Sequence, residues 1–271
     1  MSSSSQAYFL HDHPVSSYAQ KVRMALRLKG LAFESKTPPN LGSGEANKSF
    51  SKANPRMEVP ALIDGEFAVF DSTAILMYLE DKHPEEPLLP KDPKARAEAR
   101  MIEEVCDTHY EAVNWSIGEI NWFGRATGSE KERLIAAAVE QTSQLQEWLT
   151  TKLGSQPFFN GSSPGYADIS VAPIVNRSVH YGYGPKEGSP LRLWHKRISD
   201  VPAISETFAE MTAGAKQMAG SGAATFAKGS GRRREYRDHR LEWMVKNGAL
   251  GIVQNGVEED TVRFGWPHPK V

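Results

Sequence analysis

The stretch VPALIDGEFAVFDSTAILMYLEDKHP, residues 59–84, passes from strand to helix periodicity partway along, and its reading decides the fold. Two short runs of strand-forming residues flank Asp64-Gly65, a pair suited to the tight hairpin turn that matches strand twist. From Asp71 the spacing lengthens, with Ile75, Leu76 and Leu79 at helical intervals behind a capping residue. Both junctions carry groups with chemistry. Val59-Pro60 enters the hairpin, and an X-Pro bond there is a candidate for the cis form, which turns the backbone sharply. Such a turn leaves the N–H and C=O of Val59 free for an extended, peptide-like ligand. Asp71-Ser72 opens the helix, where backbone N–H groups bind carboxylates and the Ser72 hydroxyl adds a donor. Taken singly, the two features also read as an ordinary trans proline and an ordinary N-cap.

Upstream, AYFLHD (7–12) reads as a buried strand and LAFESKT (31–37) as a second one. Between them Ala19, Val22, Ala25 and Leu26 form the buried stripe of a helix over about 17–29, ended by Gly30. Adjacent serines, Ser16 and Ser17, stand at its start, although a cap needs only one hydroxyl. Residues 40–49, rich in Gly, Ser and Asn, read as a loop. These elements make a small α/β domain over 7–84. Prolines 84, 87, 90 and 93 then interrupt helix and ladder alike and mark a linker over 85–94. Beyond it strand signals disappear. Helical periodicity runs through 95–125, 130–153, 166–181 and 202–219, which predicts an all-α domain over 95–220. Residues 221–271 form a C-terminal extension. Its composition is flexible through 219–231, a helix over 232–248 partly aligns Tyr236, Leu241, Trp243 and Met244, and an aromatic, Pro-interrupted tail follows.

The bulk numbers exclude several function classes. A chain of 271 residues holds one large domain or two ordinary ones, and 39% hydrophobic residues suffice for a core. No apolar run is long enough for a membrane-spanning helix, and MSSSSQ has neither the basic region nor the apolar core of a secretion signal. The single cysteine, Cys106, excludes an internal disulfide framework and a Cys-rich metal site, and fits a reducing, cytoplasmic setting. With 32 basic and 33 acidic side chains there is no electrostatic case for nucleic acid. Arg232-Arg233-Arg234 reads as a solvated helix start.

Together, the Ser-bearing turn before KVRMAL, then VPALIDG, DSTAILMYL and the proline linker into helices, resemble the glutathione transferase family over about residues 7–220. The resemblance implies a thioredoxin-like, glutathione-binding first domain and a helical second domain that receives a hydrophobic electrophile. It also implies a homodimer, a cis Pro60, and glutathione held by Val59, Pro60, Asp71 and Ser72. GSSPGYADISVAP (161–173) resembles the family's helix-starting ADI motif, with Asp168 as the acceptor of a local capping box. Gly165 stands where the family usually has Ser or Thr, which implies a capping loss of about 0.5 kcal/mol. Aligning KVRMAL puts Ser16 at the catalytic position of serine-type members, with Ser17 where many relatives have proline. The overall pattern resembles the theta, tau and zeta classes, and the adjacent serines the zeta class, which includes glutathione-dependent cis–trans isomerases. A fungal lineage and a tailoring role in a biosynthetic pathway belong to the same resemblance.

The chemistry explains why a hydroxyl matters there. A thiol of pKa about 8.5 is mostly protonated at neutral pH, and the thiolate is the nucleophile. Lowering that pKa by about two units requires ~2.7 kcal/mol of preferential stabilisation of the anion. A hydroxyl donor to the sulfur contributes ~1.5–3 kcal/mol, and a helix N-terminus ~0.3–1 kcal/mol. No general base is then needed. Ser16 and Ser17 are the catalytic candidates, Ser16 as donor to the sulfur and Ser17 as the residue that starts the helix.

Other positions complete the reading. Glu58 stands where relatives commonly carry a lysine for the glycine end of glutathione; Arg56, Lys48 or Lys52 are the substitutes at hand. Cys106, within IEEVCDTHYEAVNW, reads as core, while His11 and His13 border the Ser turn. His109, Tyr110, Trp115, Trp122 and Phe123 lie on the first long helix and are candidates to line the electrophile pocket. The extension either folds over the cleft or packs on the outside of the helical domain. Three functions are consistent with these features: thiolate transfer to an electrophile, glutathione-dependent isomerisation of a conjugated double bond, and a non-catalytic binding module.

Overall fold

The computed structural model describes residues 7–39, 41, 48–232, 234–235 and 238–263. Strands β1 (Tyr8–His11), β2 (Phe33–Lys36), β3 (Ala61–Asp64) and β4 (Phe67–Phe70) form a sheet in the order β2-β1-β3-β4. β1 runs parallel to β2 through the crossover helix α1 (Ser17–Leu28), and β3 is antiparallel to both of its neighbours. Leu10 and Leu62 pair across the register and are fully buried, as are Val22 and Leu26 of α1 and Ile75 and Leu79 of α3 (Ser72–Lys82). The hairpin and the helix behind it therefore form as their spacing predicts.

Residues 40–49 are not all loop. Helix α2 (Lys48–Ala53) begins within them, anchored by Phe50, which packs with Ala53 and Ala61 in a small cluster of its own. A six-residue helix with one large apolar anchor has no periodicity to read.

Helix α4 (Pro93–Val105) begins inside the expected linker. Asp92 caps it and Pro93 takes the first helical position, where a missing N–H costs nothing. A π-helical turn, Cys106–Tyr110, joins α4 to α5 (Glu111–Asn121), so the expected 95–125 helix is interrupted and shorter. α6 (Gly128–Leu153) and α7 (Tyr166–His180) match their periodicity. α8 (Pro190–Ser199) was not expected, although Ser189 caps it and Leu191, Trp194 and Ile198 bury one stripe. α9 (Pro202–Thr225) continues through the first part of the stretch whose composition suggested flexibility.

The extension also departs from expectation. Arg234–Glu235 is a strand, β5, paired in parallel with β6 (Val262–Arg263), so Arg232 precedes a strand and not a helix start. α10 (Asp238–Lys246) is shorter than the expected 232–248, and α11 (Leu250–Glu258) follows it; Tyr236 and Arg233 lie outside the described residues. Trp243, Met244, Ile252 and Val253 are buried with Val113, Ile117 and Leu134, so this segment packs on α5 and α6. Among the described residues no helix is long and apolar enough to cross a membrane.

Asp168 accepts N–H bonds from Phe159, Asn160 and Gly165 and the indole N–H of Trp194, fixing the start of α7. A Cβ at Gly165 would lie 2.3 Å from Cγ of Asn160, so Ser or Thr is sterically excluded unless Asn160 moves. Packing, and not capping energy, selects glycine there.

A buried polar knot joins the two halves. Glu103 of α4 accepts from Lys21 Nζ of α1 at 2.7 Å, Thr73 Oγ1 of α3 at 2.9 Å and the Tyr166 hydroxyl of α7 at 2.9 Å. Lys21 also reaches Asp107 at 2.5 Å and is itself 1% exposed. Burial opposes the charge on Glu103, but Lys21, Arg100 and Thr73 together outweigh it and hold the carboxyl below its ordinary value of 4.5. The stabilisation is thus present above that value and lost as pH falls through the lowered folded-state pKa. Glu103→Ala strips Lys21 of one of its two carboxylates and is expected to cost about 3–5 kcal/mol in urea denaturation. An unchanged midpoint would contradict a joint that holds the fold.

Candidate active site

The strand register gathers the site. His11 faces Ala61 and Ala61 faces Phe70, so the turn after β1, the entry to β3 and the exit from β4 emerge at one end of the sheet. They open into a cleft of about 860 Å³ lined by His13, Ser16, Val59, Pro60, Asp71 and Ser72 from this half. His11 is instead buried at 8% exposure, its ring against Phe50.

The Val59–Pro60 bond is cis. The backbone N–H and C=O of Val59 are unpaired among the described residues, and Val59 lines the cleft. Its approach loop is held by Asn54, which donates from Nδ2 to the Glu58 carbonyl at 2.7 Å and accepts from the Arg56 N–H at 2.9 Å. Sequence reading passed over Asn54 because its partners are two and four residues away in a loop without periodicity. Arg56 and Glu58 form an ion pair at 3.1 Å on the cleft wall. Lys52 does not line the cleft, and the side chain of Lys48 lies outside the described residues.

Asp71 caps α3 through one oxygen, Oδ1, which accepts from the N–H groups of Thr73 and Ala74, each at 3.1 Å. The other oxygen accepts no hydrogen bond among the described residues, and Asp71 lines the cleft. Asp71 holds φ at +72°, an uncommon conformation for a residue with a side chain, at a cost of about 1–3 kcal/mol.

Ser16 is the N-cap of α1: its Oγ accepts from the Ala19 N–H at 3.3 Å. Accepting uses a lone pair, so the O–H is still available as a donor, and Ser16 lines the cleft. Ser17 is the first helical residue, 2% exposed, and its hydroxyl is buried with no hydrogen-bond partner among the described residues and away from the cleft lining. The structure therefore corrects the assignment of Ser17 to the site and gives the cap to Ser16.

The Ser16 turn is rigidly supported. Arg23 of α1 pairs with Asp12 and donates to the Pro14 carbonyl at 3.1 Å. Arg177 of α7 pairs with Glu111 at 3.0 Å and donates to the Val15 carbonyl. Gly214 of α9 packs so closely that a Cβ would stand 2.8 Å from Cγ of Pro14. Neither arginine was singled out by sequence: Arg177 acts across 162 positions, and Arg23 reads as one more polar residue on the face of α1 although it bonds back to the turn before its own helix.

The opposite wall comes from α5, α9, α10 and the residues just after α5 and α9: Trp115, Trp122, Phe123, Met218, Phe226 and Arg240. Two aromatic candidates are not there. Tyr110 is fully buried, its hydroxyl accepting from Gln146 Nε2 at 2.8 Å, because the π-turn rotates it into the core. His109 lines a separate cavity of about 460 Å³ with Gln141 and Trp243. Cys106 is fully buried, and burial pushes its thiol well above the ordinary range, so it is no nucleophile. The Tyr18 phenol is likewise raised by burial, and its O–H donates to the Asp107 carbonyl at 2.8 Å. Among the described residues no group of His, Cys, Asp or Glu could hold a metal ion.

Fold and cleft define a two-part architecture: a thioredoxin-like half that presents an open backbone edge and a helix N-terminus to the cleft, and an aromatic helical half facing it. Comparison with known proteins agrees. Residues 10–87 match the N-terminal domain of glutathione S-transferase and residues 132–197 its C-terminal domain. Glutathione S-transferase Z2 of Arabidopsis thaliana is 52% identical over 218 residues, covering 74% of this chain and 90% of that protein. A probable maleylacetoacetate isomerase of Caenorhabditis elegans is 30% identical over 204 residues, covering 74% and 92%. Among solved structures, a glutathione S-transferase of Methylobacterium radiotolerans in complex with glutathione sulfonate superposes with a TM-score of 0.63 at 26% identity, covering 75% and 95%.

The chain belongs to the glutathione S-transferase family. It is an enzyme that takes glutathione as cosubstrate and activates its thiolate toward an electrophile. Asp71→Ala removes both capping bonds of α3 and is expected to lower stability by about 1 kcal/mol in urea denaturation, with Asp71→Asn close to wild type. Equal losses in the two variants would contradict the capping role.

Proposed function

We propose that this is a serine-type transferase in which the Ser16 hydroxyl donates to the glutathione sulfur. The observation that carries this reading is the position of Ser16: it lines the cleft and its O–H donates to no group among the described residues, while the Tyr18 hydroxyl is already committed to a backbone carbonyl. The Val59 backbone pairs with the cysteinyl unit in antiparallel fashion. The free oxygen of Asp71 takes the γ-glutamyl ammonium, and Ser72 with the α3 N-terminus takes its carboxylate. Arg56 stands on the cleft wall in reach of the glycine carboxylate, in place of the lysine that Glu58 replaces.

In the reaction the thiol proton leaves to solvent, and a sulfur lone pair forms the bond to the electrophilic carbon. Where the electrophile carries a leaving group, that group departs with its bonding pair. Where it is a conjugated double bond, the same addition leaves a single bond that rotates before glutathione departs unchanged. This second reading is supported by the isomerase name of the nematode relative and by the resemblance of Ser16-Ser17 to the zeta class. A cytoplasmic homodimer completes the proposal, on the family's usual assembly and the lone, buried cysteine.

Ser16→Ala is expected to lower kcat/KM at pH 7 about twentyfold, the loss in thiolate fraction for a rise of two pKa units, while glutathione still binds. Ser17→Ala is expected to keep kcat/KM within about threefold, since its hydroxyl faces away. The converse pattern, or no saturable glutathione binding by calorimetry, would overturn the proposal. Product analysis separates the two chemistries: transfer consumes glutathione stoichiometrically, and isomerisation leaves it unchanged.

A further inference from the structure

The segment beyond α9 lies outside the family-matched residues, yet it is firmly attached. Trp243 and Met244 of α10 are buried against α5, the Trp243 indole N–H donates to Gln141 at 2.8 Å, and Arg133 of α6 donates to the carbonyls of Asn247 and Gly248. One helical turn before Trp243, this anchored segment carries Arg240 into the wall of the catalytic cleft.

Its guanidinium lies over two ring faces, 5.5 Å from the centre of Trp115 and 5.9 Å from that of Tyr18. Tyr18 follows Ser16 by two residues and lines the same cleft, so the cation stands beside the Ser16 turn. Most of the cleft's acids have partners of their own: Asp107 pairs with Lys21, Glu111 with Arg177 through one oxygen, Glu58 with Arg56 and Glu119 with Arg125, while Asp71 caps α3 and Glu104 is exposed. Among the described residues Arg240 forms no ion pair, although its guanidinium also acts on the Tyr18 hydroxyl. Stacked guanidinium edges leave N–H groups in the ring plane free to grip a carboxylate bidentately.

We propose that Arg240 is a specificity-determining residue contributed by the C-terminal segment, and that the electrophile is a flat, conjugated molecule bearing a carboxylate. Its body lies along Trp115 and Trp122, its carboxylate on Arg240, and its reactive carbon is directed toward the sulfur. This rests on the thiol-activation reading above and adds the class of the second substrate.

The test uses the full-length chain and a matched pair of aryl chlorides, 4-chloro-3-nitrobenzoate and its methyl ester. In each, the thiolate forms a C–S bond at the chlorinated carbon and chloride leaves with its electron pair. In wild type the acid is expected to show a KM about tenfold below the ester's. Arg240→Leu is expected to bring the ratio near one, and Arg240→Lys to recover part of the preference. A ratio unchanged by Arg240→Leu, or shifted instead by Arg232→Leu, would overturn the assignment. Calorimetry of 4-chloro-3-nitrobenzoate without glutathione gives a second readout: binding about tenfold weaker in Arg240→Leu supports the site, and equal binding overturns it. That arm contains no thiol, so failure of the Ser16 reading leaves it intact.

Discussion

One carboxylate sets the geometry on which everything else depends. Glu103 is 2% exposed and is met by groups from α1, α3 and α7, with Arg100 of its own helix at 3.2 Å. Removing an acid and a lysine from water is costly, and their attraction offsets that cost only if every partner is in place. Such a joint therefore contributes more to alignment than to net stability. The helices it ties are the ones that carry Ser16 at one N-terminus and Asp71-Ser72 at another. Two pieces of chain from the sheet half are thereby fixed relative to each other and to the helical half that completes the cleft.

The same logic recurs closer to the chemistry. Arg23 and Arg177 reach the two carbonyls just before Ser16 from opposite sides, each balanced by a buried carboxylate. The turn is thus held from both halves of the molecule. In the proposed role, a hydroxyl so fixed would need no reorganisation when the sulfur ionises, which is the condition under which one hydrogen bond contributes fully to anion stability. Strain at Asp71 belongs to the same pattern, since an uncommon backbone conformation persists only where its surroundings enforce it.

Local sequence carried the sheet half almost entirely. The Asp64-Gly65 turn, the stripe of α1, the cis Pro60 and the paired Asp71-Ser72 all act within a few residues of themselves, and spacing or the family pattern exposes them. The site features that escaped notice act at long range: Arg177 meets Val15 across 162 positions, and Arg240 reaches Tyr18 from an added segment. Tyr110 illustrates the opposite error. Ideal helical spacing placed it with the pocket aromatics, and one π-turn shifted it into the core. Ser16 and Ser17 differ by a single position, and only the cap geometry of α1 separates a hydroxyl that faces the cleft from one that is buried and unpaired.

The central claim is that a fixed hydroxyl at a helix N-terminus, without a base, ionises the glutathione thiol. Titrating the ultraviolet thiolate absorbance of glutathione bound to the enzyme tests it most directly. The account predicts a bound thiol pKa about two units below the free value of ~8.5 in wild type and a return to near that value in Ser16→Ala. A bound thiol that titrates near 8.5 in wild type, or one that stays ionised after Ser16→Ala, would contradict it.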